Sequence, residues 1–292
     1  MAGRCQTGEP ASMPAPVKGD VSLMTTGGAK KTWQELITFP LGNRMEKPRT
    51  SGLTMLIDKG LGLGEIRDLL NLAGDYIDFV KLGFGTSALY SNHVLEEKIH
   101  LVTSHGIDIY PGGTFLEVAI LQDKLREYLA MARDFGFTAV EVSDGTIDLS
   151  LEARAEAINL AADMGFKVLS EVGKKDPNDE FEIKDIVQLV NQDLANGSSH
   201  VIVEGRESGK SVGLYDQHGN IIMSDLEELV YSLPNASSLI WEAPIKEQQQ
   251  ELIIRFGPNV NIGNVNPHEV LALESLRVGL RADTLKTVLP RK

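Results

Sequence analysis

The sequence predicts an α/β protein: a single-domain (β/α)8 TIM-type barrel behind a flexible N-terminal tail. Three observations predict it. Short apolar runs rich in Val and Ile recur from residue 53 onward, segments of helical period separate them, and eight such units fill the chain without room for a second domain. Strands that alternate with helices pair in parallel, because each helix supplies the crossover that a parallel pair needs. An open doubly wound sheet alternates in the same way, but eight uninterrupted units favour closure.

Each element follows in order. Residues 1–31 are rich in Gly, Pro, Ala, Thr and Met and lack apolar periodicity, which predicts the tail. They hold no apolar h-region, so a secretory signal is not expected. Only Glu9 and Asp20 are acidic before residue 35, which leaves an organelle-targeting role open. Residues 32–49 carry Trp33, Leu36, Ile37 and Phe39, which predicts a segment packed on the main body, so that the barrel domain spans 32–292. Strands are expected within 53–58, 76–83, 107–113, 139–145, 167–175, 200–208, 239–244 and 259–265, and helices within segments such as 121–136 and 150–165. Gly74, Gly106, Gly136, Gly165, Gly197 and Gly257 each follow a periodic stretch, where the residue after a helix takes a positive φ. Ser224 with Glu227 fits a capping box opening the sixth helix.

Composition excludes several classes. The 292 residues are 42% hydrophobic, enough for a large core and too apolar for a disordered chain. One cysteine, Cys5, rules out a disulfide framework or a Cys-rich zinc module. The six histidines show no H-x-H or H-E-x-x-H spacing, so a metal site built on histidine is not expected. A net charge of −13 argues against nucleic acid as a partner, and no apolar run has the ~18 residues that begin to suggest a membrane span. The expectation is a cytoplasmic enzyme acting on small molecules.

In such a barrel the chemistry sits at the C-terminal ends of the strands. Those ends are polar throughout: Asp58-Lys59-Gly60, Lys81 with Gly83, Pro111-Gly112-Gly113-Thr114, Glu141 with Ser143-Asp144, Glu171 with Gly173-Lys174-Lys175, Glu204 with Arg206-Glu207-Ser208, Glu242 with Pro244, and Asn264. Pleat parity puts Glu171, Gly173 and Lys175 on one face of the fifth strand. A carboxylate and an ammonium on one low-dielectric face shift each other's pKa, as acid–base work requires; a buried ion pair that only satisfies two charges has the same pattern. Asp58, Glu141, Asp144, Glu171, Glu204 and Glu242 offer oxygen ligands for a hard divalent cation such as Mg²⁺, more than one ion needs. Lys59, Lys81, Lys175, Arg206 and Lys210 stand against a negative chain and suggest an anionic substrate. The turns at Gly112-Gly113 and Gly83-Phe84-Gly85 either present backbone N–H groups to an anion or are simply tight. Gly205–Ser211 has three residues between its glycines where a phosphate loop needs four, and Glu65 stands at the third glycine position of a dinucleotide fingerprint, so neither motif supports a nucleotide.

The runs SGLTMLIDKGL, GDYIDFVKLGFGTSAL, YPGGTF, EVSDG, LSEVGKKDP, VIVEGRESGK, WEAP and ESLRVGLRADT resemble the phosphosulfolactate synthase family over about residues 50–285. The resemblance implies Mg²⁺-dependent addition of sulfite to phosphoenolpyruvate, giving (2R)-phospho-3-sulfolactate on the way to coenzyme M or sulfolactate. It implies a catalytic lysine in the EVGKK segment, here Lys175, for which Glu171 and Lys174 are candidate helpers. It also implies a homo-oligomer, a trimer being one form. The substrate-binding candidates are Lys59, Lys81, Gly112, Gly113, Arg206, Ser208 and Asn264; the metal candidates are Asp58, Glu141, Asp144, Glu204 and Glu242. Relatives include plant heat-stress-associated proteins, so a catalytically silent, stress-protective barrel is the alternative reading, and another enzyme of phosphorylated enolates is a third.

Overall fold

The computed structural model describes residues 31–173, 182–205, 208–211 and 213–290. The tail expected at 1–31 lies outside them except for Lys31. The chain divides into two units, one ending at Thr38 and the other running from Phe39. The first contains helix α1 (Thr32–Leu36). The second is an eight-stranded parallel barrel.

The strands are β1 (Thr54–Asp58), β2 (Phe79–Leu82), β3 (Asp108–Pro111), β4 (Ala139–Val142), β5 (Lys167–Val172), β6 (His200–Val203), β7 (Leu239–Glu242) and β8 (Ile262–Val265). Each lies inside its predicted run. The ladder runs β3-β2-β1-β8-β7-β6-β5-β4, and Thr138 closes the remaining seam. Its N–H donates to Ile109 O at 3.2 Å, and its hydroxyl accepts the Ile109 N–H at 3.1 Å.

The helices of this unit are α2 (Leu63–Ala73), α3 (Asn92–Thr103), α4 (Gly113–Leu121), α5 (Leu125–Phe135), α6 (Leu151–Asp163), α7 (Ile183–Ala195), α8 (Met223–Ser232), α9 (Lys246–Phe256), α10 (Val270–Arg277) and α11 (Ala282–Leu285). Their apolar stripes face the strands: α7 buries Ile183, Ile186 and Val190, spaced three and four apart. Ser150 caps α6, its hydroxyl accepting the Ala153 N–H at 3.2 Å. Among the described residues, no helix is long and apolar enough to cross a membrane.

Two boundary expectations are corrected. Helix α8 opens at Met223, so Ser224 lies inside its first turn and its hydroxyl donates to Asp225 instead of capping. Gly74 has φ −56°, because the chain leaves α2 directly into a 3-10 turn; the other five stop glycines take positive φ.

Two apolar layers organise the core. The larger lies between strands and helices. The smaller fills the lower barrel with Leu53, Met55, Phe79, Tyr110, Ala139, Leu169, Ile202 and Ile240, two residues from the β1 region and one from each of β2 to β7. Residues 41–49 strap the bottom: Leu41 N–H donates to Val278 O, Arg44 pairs with Glu274 at 3.0 Å, and Arg49 pairs with Asp78 at 2.9 Å. Asp78 in turn accepts the Thr54 N–H at the start of β1.

Strand β8 is irregular. Thr54 and Leu56 of β1 pair with Ile262 and Val265, so Met55 alone stands opposite both Gly263 and Asn264 and a bulge results. Asn264, in the bulge, sits in the left-handed region at φ 54°, a conformation that asparagine tolerates better than most residues.

Candidate active site

The upper barrel interior is ionic. Directly above the apolar plug, strand parity turns Lys81 of β2, Glu141 of β4, Glu171 of β5 and Glu242 of β7 inward. They meet: Lys81 Nζ lies 2.9 Å from Glu141 Oε2, 3.1 Å from Glu171 Oε2 and 3.1 Å from Glu242 Oε1. Only interior positions on four different strands can converge on one ammonium. Glu204, just past β6, joins them, and carboxylate oxygens of Glu171, Glu204 and Glu242 lie within 4.8 Å of one another, all three residues buried.

Electrostatics follow from burial. Desolvation alone would lower the Lys81 pKa, but Glu141, Glu171 and Glu242 together hold it well above the ordinary lysine range. Burial pushes the Glu242 carboxyl up; Lys81 opposes this and the Glu171 charge adds to it. Tyr110, below the cluster, is pushed well up by burial and by Glu141. Its hydroxyl donates to Met55 Sδ at 2.6 Å.

Glycine makes one of these contacts available. Gly113 donates its N–H to Glu141 Oε1 at 2.6 Å, and a Cβ at that position would overlap both Glu141 Oε1 and Ser143 Oγ. Gly173, at φ 112°, lets the chain leave β5 against the side chain of Glu204.

A cavity of about 360 Å³ opens at the ends of β1, β7 and β8, lined by Lys59, Glu65, Asn264, Asn266 and His268 among others. Lys59 Nζ stands 5.8 Å from the ring centroid of Phe84. Phe84 itself is exposed and held at φ 56°.

The structure thus brings together some of the expected residues and separates others. Glu171, Glu204, Glu242, Glu141 and Lys81 form the cluster; Lys59 and Asn264 line the cavity. Asp58 is elsewhere. Met55 and Ile57 point inward, so Asp58 points outward, where Lys98 of α3 meets it at 2.6 Å and the Gly60 and Leu61 N–H groups donate to its other oxygen at 2.7 Å. Asp144 pairs at 3.0 Å with Arg154, away from the three-glutamate set. Glu141 likewise has its oxygens directed at Gly113 and Lys81.

Gly112 and Gly113 do not present N–H groups to a ligand, because Gly112 donates to Leu82 O at 3.0 Å and Gly113 to Glu141. Ser208 is exposed on the loop after β6. Lys174, Lys175 and Arg206 lie outside the described residues.

Three supports were not found by reading the sequence. Lys98 is one. Arg154 is the second: fully buried on α6, it grips Asp193 of α7 through Nε at 2.9 Å and donates to Glu171 O at 2.8 Å, fixing the end of β5. Gln248 is the third, its amide donating to Gly209 O and Gly219 O and holding the loop that carries Ser208. Each sits on a helix and acts on a strand-end loop remote in sequence, so only polar residues on an otherwise buried helix face could have marked them.

Comparison with known proteins gives a consistent answer. Residues 42–283 match the model of the (2R)-phospho-3-sulfolactate synthase (ComA) family. The chain is 46% identical over 247 residues to the phosphosulfolactate synthase of Methanothermobacter thermautotrophicus, covering 84% of this chain and 95% of that one. It is 47% identical over 239 residues to the phosphosulfolactate synthase of Methanocaldococcus jannaschii, covering 81% and 95%. In fold it is similar to 3-hexulose-6-phosphate synthase from Salmonella typhimurium, with TM-score 0.50 at 15% identity over 81% of this chain and 98% of that one.

Proposed function

The chain belongs to the (2R)-phospho-3-sulfolactate synthase family, and on that premise we propose that it is a Mg²⁺-dependent enzyme joining sulfite to phosphoenolpyruvate. The observation that carries the reading is the buried set of Glu171, Glu204 and Glu242 beside Lys81, at the C-terminal ends of the barrel strands. Its donors are carboxylate oxygens only, which suits a hard divalent cation. Once bound, such an ion stabilises negative charge on a substrate carboxylate.

The chain's own groups have distinct parts. Glu171, Glu204 and Glu242 hold the cation. Lys59 and Asn264 contact the anionic substrate in the cavity. Sulfite sulfur donates its electron pair to the methylene carbon, the carbon–carbon double bond opens, and its electrons pass to the carboxylate. A general acid then delivers a proton to the neighbouring carbon from one face, which sets the product's handedness. Lys175 is that acid, helped by Glu171 and Lys174 at the same strand end; cationic neighbours lower a lysine pKa toward neutrality. Arg206 adds a planar guanidinium for phosphate. The product is (2R)-phospho-3-sulfolactate, a precursor of coenzyme M or sulfolactate, made in the cytoplasm by a homo-oligomer.

Incubation with phosphoenolpyruvate, ³⁴S-labelled sulfite and Mg²⁺, followed by mass spectrometry, tests the reading. A labelled phosphosulfolactate ion is expected. Its absence, with intact phosphoenolpyruvate recovered, would refute the substrate assignment.

A further inference from the structure

We propose that Lys81 is a built-in competitor of the divalent cation: its ammonium holds Glu171 and Glu242 together before the metal arrives and yields them when the metal binds. This rests on the metal reading given above.

Lys81 shares two of its three carboxylates with the metal set. Glu171 and Glu242 bind it at 3.1 Å and are also two of the three glutamates whose oxygens lie within 4.8 Å of one another. A cation held by these oxygens and an ammonium bound to the same two side chains repel at short range in a medium of low dielectric. Both cannot keep full contact.

The third partner decides what happens to Lys81. Glu141 is outside the metal set, and its other oxygen is fixed by the Gly113 N–H at 2.6 Å, on a residue with no room for a side chain. Glu141 therefore stays in place and retains Lys81 at 2.9 Å when the other two leave it. The remaining ammonium donors are then available to an anion in the mouth. Metal binding converts Lys81 from an internal counter-ion into a ligand for substrate, and the metal precedes the anion.

Mg²⁺ titration calorimetry on the metal-stripped full chain tests this, with circular dichroism as the folding check. Lys81→Met is expected to bind Mg²⁺ at least ~10-fold more tightly than wild type, because the repelling charge is gone. Lys81→Arg, which keeps the charge, is expected to gain nothing. Glu141→Gln is expected to weaken Mg²⁺ binding, since Lys81 then leans wholly on Glu171 and Glu242, although Glu141 is not itself a ligand. If wild type binds Mg²⁺ but Lys81→Met binds it no more tightly, the competitor role is overturned and the metal reading stands. If Lys81→Met does not fold, unchanged Mg²⁺ affinity in Glu141→Gln overturns it instead. If neither wild type nor any variant binds Mg²⁺, the metal reading fails and this inference fails with it.

Discussion

Lys98 Nζ and Asp58 Oδ2 meet at 2.6 Å with both side chains completely shielded from solvent. The same ammonium donates to Leu61 O at 2.7 Å and Tyr90 Oη at 3.2 Å and lies 4.5 Å from the centroid of the Tyr90 ring. The pair ties the turn after β1, which carries Lys59, to the loop after β2. Removing one partner strands a buried charge, so Lys98→Met should cost on the order of 3–5 kcal/mol by urea denaturation. Asp58→Asn should also lose stability, yet bind Mg²⁺ as wild type does. Weakened Mg²⁺ binding in a folded Asp58→Asn protein would return Asp58 to the metal set.

Lys175→Ala should lower kcat by at least ~10²-fold and leave the melting temperature unchanged, as expected for a positioned general acid. Steady-state turnover near the wild-type value would remove Lys175 from that role, and Lys174→Ala would be examined next.

Exhaustive EDTA treatment should abolish turnover, and Mg²⁺ should restore it. Glu204→Gln should raise the Mg²⁺ concentration for half-maximal rate by at least the ~10-fold that even indirect partners of a metal cost. Asp144→Asn should leave that concentration alone and instead lower stability, because Arg154 loses a partner. Equal metal dependence in the two variants would contradict the division of carboxylates drawn from the geometry.

His200 supplies a pH test remote from the mouth. Burial, and secondarily the Lys167 cation, lower its pKa from the ordinary 6.5, and its ring packs edge-on to Phe79. The fold thus prefers neutral histidine: its contribution is present above pH 6.5 and is lost as pH falls toward the depressed folded value. Wild type should lose more stability than His200→Gln across that descent. Parallel denaturation midpoints for the two proteins would show that the ring titrates freely.

The barrel was legible because each strand is a short β-branched run inside a helical repeat, and the mouth was legible because every run ends in polar residues. Parity carried Glu171 to the interior. Parity also separates Asp58 from Glu141, since Met55 and Ile57 mark the inward face of β1, although its charge at a strand end drew it into the same set. Lys98, Arg154 and Gln248 were not legible, because their partners are loops and strand ends on other elements. The bulge at Asn264 was hidden as well: register belongs to the pair β1 and β8, whose residues are some two hundred positions apart in the chain.

The plug of Leu53, Met55, Phe79, Tyr110, Ala139, Leu169, Ile202 and Ile240 gives the ionic cluster an apolar floor. A carboxylate resting on such a floor gains no solvation from beneath, so its charge must be balanced by groups beside or above it. For Glu171 and Glu242 the Lys81 ammonium is the neighbour that does so.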